Sequence, residues 1–209
     1  PWDAMQKALD LEEWRRRLQE SIGGFDLAID GLLHAAHAIL DEDRRHEAPR
    51  GILLRGPPGS GKTYLAERFA VILGDQGEEM YILQAETAIT QGPSGAETFR
   101  DILKLITHRA QQKLCIGRSF RAAKGVEVVL LEGAEALERN EEVETEVLDL
   151  RQVILDLLLW EMQVWHQKSL PVLLLVPWNS IMTEPIRLYG PQAVEASITL
   201  PIPLDFQQR

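Results

Sequence analysis

The chain has 209 residues, a formal net charge of −10, 45% hydrophobic and 26% charged residues, and one cysteine, Cys115. That length allows one large α/β domain or two small ones. The acidic balance argues against a nucleic-acid footprint, and the lone cysteine excludes an intrachain disulfide or a cysteine-based zinc site and suits a reducing compartment.

Residues 3–20 read as an amphipathic helix, with Met5, Ala8, Leu9, Trp14 and Leu18 at three- and four-residue spacing. The Arg15-Arg16-Arg17 run on it suits a solvated face, as does the looser basic stretch from Arg109 to Lys124. Gly23-Gly24 ends that helix, and residues 26–41 carry a second pattern through Leu27, Ile29, Leu32, Leu33, Ala36 and Ile39. His34 and His37 stand three apart in it, and with no further ligand nearby they read as ordinary helix histidines. After a charged linker at Asp41–Pro49, Gly51-Ile-Leu-Leu54 is a short apolar run of the kind that forms a buried parallel strand. Residues 62–73 read as a helix, Met80–Leu83 as a strand, 96–114 as a helix and Val126–Leu131 as a third strand. A long helix is expected over about 140–167, a fourth strand over Leu170–Val176 and a fifth over Ile198–Ile202. Cys115–Gly125 reads as a surface loop, and Trp160 and Trp165 as packing residues of the long helix. Strands alternating with helices imply an α/β fold with a parallel sheet and helices on both faces.

The N-terminus has no apolar core of a signal peptide. The longest apolar run, Val153–Trp160 broken by Asp156, is far short of the roughly 20 residues of a membrane helix. Pro1 and the irregular C-terminal stretch read as the two ends of a piece cut from a longer protein.

The chemistry concentrates at Gly56-Pro57-Pro58-Gly59-Ser60-Gly61-Lys62-Thr63, which meets G-x-x-x-x-G-K-[ST] in full between a strand and a helix. Glycines let backbone N–H groups converge on phosphate oxygens, and the next helix offers its N-terminal amides to the same anion. Lys62 supplies a point charge for the outer phosphates and the Thr63 hydroxyl an oxygen for Mg²⁺. These residues predict a P-loop NTPase that binds ATP with Mg²⁺.

The stretch Arg50–Thr63, with its Gly-Pro-Pro-Gly core, resembles the AAA family of ATPases. Ile22-Gly23-Gly24 is similar to the family segment beside the adenine, Val172–Asn179 to the strand ending in the sensor-1 asparagine, and Pro201-Ile-Pro203 to the passage into the helical lid. The resemblance spans about residues 21–209 and implies the AAA large subdomain, with residues 1–20 as a linker helix and no lid. It also implies a hexameric ring of AAA subunits with the ATP site at subunit boundaries. The nucleotide-contact set from loop and resemblance together is Ile22, Gly23, Pro58, Gly59, Ser60, Gly61, Lys62, Thr63 and Tyr64. Thr63 and Glu132 are the metal-side residues, and Glu132 and Asn179 the catalytic pair.

Three departures from the family weaken hydrolysis. The strand Val128–Leu131 runs into Glu132-Gly133, where the family has Asp-Glu, so the water-activating carboxylate is missing. Glu135 is two positions further on. Gly190 and Ala193 stand where the interface arginines belong, with Arg187 the one basic residue close by. The loop Thr87–Ser94 has no pore aromatic, offers only Ile89, and reads as an ordinary surface loop. The chain is thus expected to be an ATP-binding module, hydrolysis-impaired and structural, stacked on an active ring that acts on a protein substrate. The altered acid motif and the loop Gly95-Ala-Glu-Thr98 are loosely similar to the first AAA domain of the peroxisome-biogenesis pair. That narrower resemblance implies a cytoplasmic protein peripheral to the peroxisomal membrane and engaged in receptor recycling. The alternatives are an active ATPase using Glu132 and Glu135, and a nucleotide-free scaffold.

Overall fold

A computed structural model describes residues 2–73, 80–117, 125–137, 145–179 and 196–199. Helix α1 (Trp2–Ser21) and helix α2 (Asp26–Leu40) lead into strand β1 (Gly51–Arg55) and helix α3 (Lys62–Leu73). Strand β2 (Tyr81–Gln84), helices α4 (Ala85–Thr90) and α5 (Pro93–Gly117) and strand β3 (Glu127–Glu132) follow. A 3₁₀ turn (Ala134–Leu137), helix α6 (Thr145–Gln167) and strands β4 (Val172–Trp178) and β5 (Ala196–Thr199) complete the described elements.

The five strands form one sheet in the order β2-β3-β4-β1-β5, and every pairing is parallel. Period-two alternation sorts the strand side chains to two faces. Ile52, Leu54, Val128, Leu130, Leu173 and Leu175 join a core with α1, α2 and α3. Leu53, Leu83, Val129, Leu131, Leu174, Val176 and Trp178 join a second core with α4, α5 and α6. β1, β3 and β4 are apolar on both sides because both sides are covered. This is the α/β P-loop NTPase architecture expected from the alternating pattern.

Several expectations are corrected. Thr87–Ser94 is not a surface loop: Ala85–Thr90 is helical, and Ile89 is half-buried against the second core. Gly95-Ala-Glu-Thr98 is likewise not a loop but part of the first turns of α5. There, a Cβ on Gly95 would lie 2.2 Å from the Ala88 carbonyl oxygen, so only glycine lets α5 approach α4 this closely. The two tryptophans of α6 divide. Trp165 is fully buried and donates its Nε1–H to Thr107 Oγ1 at 2.7 Å, while Trp160 is 67% exposed. The fourth strand begins two residues later than expected and ends at Trp178. Cys115–Gly117 continue α5, and 118–124 lie outside the described residues, as do Arg187, Gly190, Ala193 and Pro201–Pro203.

Helix α1 is seated on this core through Leu18, which is fully buried, with Leu11 and Trp14 packed beside it. Its arginines are solvated and paired: Arg16 and Arg17 with Glu13, Arg16 also with Glu20, and Arg15 with Asp30 of α2. Among the described residues no group of three or more His, Cys, Asp or Glu could hold a metal ion. No helix among the described residues is long and apolar enough to cross a membrane.

Candidate nucleotide site

The parallel sheet fixes where a ligand can sit. In such sheets the crevice beyond the carboxyl ends of the strands is open, and helix N-termini point into it. β1 delivers Gly56 to that edge, where the Gly56 N–H donates to the Trp178 carbonyl at 3.2 Å and ties the loop to the tip of β4. Gly59 and Gly61 then adopt φ of +78° and +86°, conformations that disfavour residues with a Cβ. Ser60 is buried between them, its N–H donating to the Pro57 carbonyl at 3.2 Å. Helix α3 begins at Lys62, so its first-turn amides lack intrahelical acceptors and face the loop's concavity.

Lys62 is 5% exposed. Its ammonium donates to the carbonyls of Gly56 (3.0 Å) and Pro57 (2.7 Å) and to Ser60 Oγ (3.2 Å). Desolvation pulls its pKa below the ordinary lysine value, and the carboxylate of Glu135 opposes that pull. A desolvated cation, first-turn amides and two glycines in left-handed conformation make an anion cradle, and the donor set fits a polyphosphate. Thr63 follows Lys62, half-buried, and Tyr64 stands outward at 43% exposure with Arg68 stacked 5.0 Å from its ring centroid.

The strand tips beside the loop carry the acids. Glu132 ends β3, half-buried, in register with Gln84 of β2. Gly133 follows at φ +66°. Glu135, in the 3₁₀ turn, accepts the backbone N–H of Asn179 through Oε1 at 2.9 Å. Lys62, Glu135 and Asn179, far apart in sequence, are therefore brought to one edge of the sheet.

Ile22 is only partly where the nucleotide-contact set put it. Its side chain is 4% exposed and lies in the first core, because its amide continues the α1 hydrogen-bond ladder to the Leu18 carbonyl at 2.8 Å. Only its backbone and the exposed Gly23 are left to face a ligand. Two neighbours escaped sequence reasoning. Phe25 packs on the loop: a Cβ on Gly61 would lie 3.2 Å from its ring, so the Gly23–Phe25 corner and the phosphate loop are in contact. Glu86 faces Gly133 across the tips of β2 and β3. No periodicity or motif marks either residue; each is placed by the sheet order.

Relatives match the same region. The chain is 33% identical over 113 residues to a proteasome-activating nucleotidase of Methanocaldococcus jannaschii, covering 52% of this chain and 26% of that protein. It is 34% identical over 134 residues to a proteasome-associated ATPase of Acidimicrobium ferrooxidans, covering 58% and 22%. It is 36% identical over 89 residues to the ATP-dependent zinc metalloprotease FtsH of Corynebacterium glutamicum, covering 40% and 10%. The chain thus spans about a quarter or less of the length of these relatives. The family model for magnesium chelatase, subunit ChlI, matches residues 47–157, more than half of the chain, from the approach to β1 through the phosphate loop and the strand-end acids into α6. With the loop and sheet geometry that this match covers, the chain belongs to that family and is an ATP-binding module of the AAA type.

Proposed function

We propose that this chain is the nucleotide-binding module of a ring-forming, protein-remodelling AAA ATPase, that it holds Mg²⁺ and ATP on Gly56–Thr63, and that it turns ATP over slowly. The observation that carries the reading is the phosphate cradle, with Gly59 and Gly61 in left-handed conformation and the buried Lys62 ammonium between strand and helix. Thr63 and Glu132 are the hard oxygen donors that suit Mg²⁺, which needs few protein ligands when phosphates supply the rest. Asn179 is the polar group at the tip of β4. Gly23, Pro58, Ser60 and Tyr64 border the nucleotide, with the backbone of Ile22. Residues 21–209 serve as the large subdomain, approached by helix α1.

Slow turnover follows from the acids. Gly133 has no side chain to activate water, and Glu135 is engaged by the Asn179 amide and the Lys62 charge rather than held ready as a base. That engagement disfavours an active site run by Glu132 and Glu135. The names of the matched relatives favour a polypeptide as what the ring acts on and give no support to a peroxisomal role, so the proposal leaves the cargo at a polypeptide.

Thermal melting with and without Mg²⁺ and ATP tests the reading. A ligand that binds only the folded state stabilises it by about 2.7 kcal/mol at a hundredfold excess over its dissociation constant. An upward shift in the native chain, much smaller in Lys62→Ala at the same nucleotide concentration, is expected; no shift at saturating nucleotide would sink the proposal.

A further inference from the structure

The position after the strand-end acid is more than a missing side chain. Gly133 sits at φ +66°, and a Cβ built there would lie 3.4 Å from the Cβ of Glu86 and 3.6 Å from its backbone nitrogen. A side chain at position 133 would therefore stand in ordinary contact with another carboxylate-bearing residue. Its placement follows from register: Gln84 pairs with Glu132 at the end of the sheet, and α4 starts at the next residue, putting Glu86 across from Gly133. Glu86 is exposed, and its carboxylate makes no hydrogen bond or ion pair among the described residues. Glu135 differs, since its oxygen already accepts the Asn179 amide. The two Cβ positions are neighbours, so the Glu86 side chain starts from beside the place where a glutamate at 133 would start.

We propose that Glu86 supplies to the nucleotide site the carboxylate that position 133 does not carry; the inference rests on Gly56–Thr63 being an ATP site. In the step it serves, the oxygen of a water forms a bond to the γ-phosphorus of ATP while the bond from that phosphorus to the β,γ-bridging oxygen breaks. ADP leaves with the electron pair. The water's proton passes to Glu86 and from there to solvent as orthophosphate departs. An exposed carboxylate arriving from α4 is held less firmly than one at the strand end, so the turnover it supports is slow, in keeping with the proposed module.

The test uses the whole protein with two readouts. One is calorimetric affinity for Mg²⁺ with the non-hydrolysable β,γ-imido analogue of ATP; the other is steady-state phosphate release. Glu86→Gln should keep analogue affinity within about twofold and lower phosphate release by about a hundredfold, the low end for loss of a general base. Unchanged phosphate release in Glu86→Gln overturns the proposal. So does native release no higher than that of Lys62→Ala, or a marked loss of Mg²⁺-dependent analogue affinity in Glu86→Gln, which would put Glu86 on the metal instead. Failure of the native protein to bind the analogue at all is the separate result that removes the ATP site itself, and the proposal with it.

Discussion

The two ends of the sheet are built on opposite principles. At the N-terminal ends of the strands, charge is buried and held by other groups of the protein. Arg50, fully buried ahead of β1, donates to the carbonyls of Leu170 (2.8 Å) and Arg45 (2.7 Å), and burial lowers its pKa to about 10. Glu127, at the start of β3, pairs at 2.9 Å with Lys113 near the end of α5, both nearly inaccessible. At the C-terminal ends, by contrast, the chain turns through left-handed glycines, and Glu86 and Asn179 are exposed. The difference teaches which end is closed and which is left for a ligand: at the closed end the buried charges are held by other groups of the protein, and at the open end exposed polar groups stand beside the phosphate loop.

Substitutions at each end should separate stability from binding. The largest effect is expected at the buried end. Lys113→Met strands the Glu127 carboxylate and should lower unfolding free energy by about 3–5 kcal/mol in denaturant titrations, with nucleotide affinity unchanged. Replacing both partners by Met should recover most of that loss. A change in affinity without a change in stability would break the comparison.

At the open end, Lys62→Ala should weaken ATP binding by about a hundredfold, near 3 kcal/mol, through loss of a charge-assisted contact to the outer phosphates. Denaturation should move by less than it does in Lys113→Met. Equal affinities of native and variant protein, measured calorimetrically, would contradict the cradle.

Gly133→Glu restores the family's carboxylate on paper and should fail in practice. A side chain at φ +66° costs about 1–2 kcal/mol and meets Glu86. Phosphate release should stay at or below the native rate, whereas recovery to about one turnover per second would show that the backbone accommodates the acid.

The smallest effect lies away from both ends. Hydrogen bonds from Arg16 and Arg17 hold the Glu13 carboxyl near pKa 2, below its ordinary 4.5. Because the folded pKa is depressed, its contribution is complete above pH 4.5 and is lost as pH falls towards 2. Solvent screens this pair, so Glu13→Gln should scarcely move the melting temperature at neutral pH.

Much of the sheet was legible in the sequence. β1, the phosphate loop and α3 were readable almost to the residue, because an apolar run, a glycine pattern and a helical period meet there without competition. β3 and β4 were equally clear as doubly covered strands. α4 was not, since six residues with two threonines and an isoleucine carry too little period to signal a helix, and packing on α5 at Gly95 decides it. Trp160 and Trp165 looked alike on one helix; which of them turns inward depends on Thr107 of α5. Phe25 beside Gly61 and Glu86 beside Gly133 are contacts across the fold, invisible in any local spacing.

The strand order has a consequence for how the protein comes to be. β1 pairs with β4, Gly51 beside Leu174, and with β5, Ile52 beside Ala196, so the strand feeding the phosphate loop has no neighbour within the first half of the chain. Partners so distant in sequence make for slow formation, because a long loop must close before any pairing rewards it. During synthesis, β2 and β3 can begin their ladder as soon as residue 132 has left the ribosome, but β1 must wait for β4 to emerge. The Gly56 amide waits with it for the carbonyl of Trp178. Nucleotide should therefore be unable to engage a nascent chain until nearly all of this segment has been made, and so reports on completed folding rather than guiding its early steps.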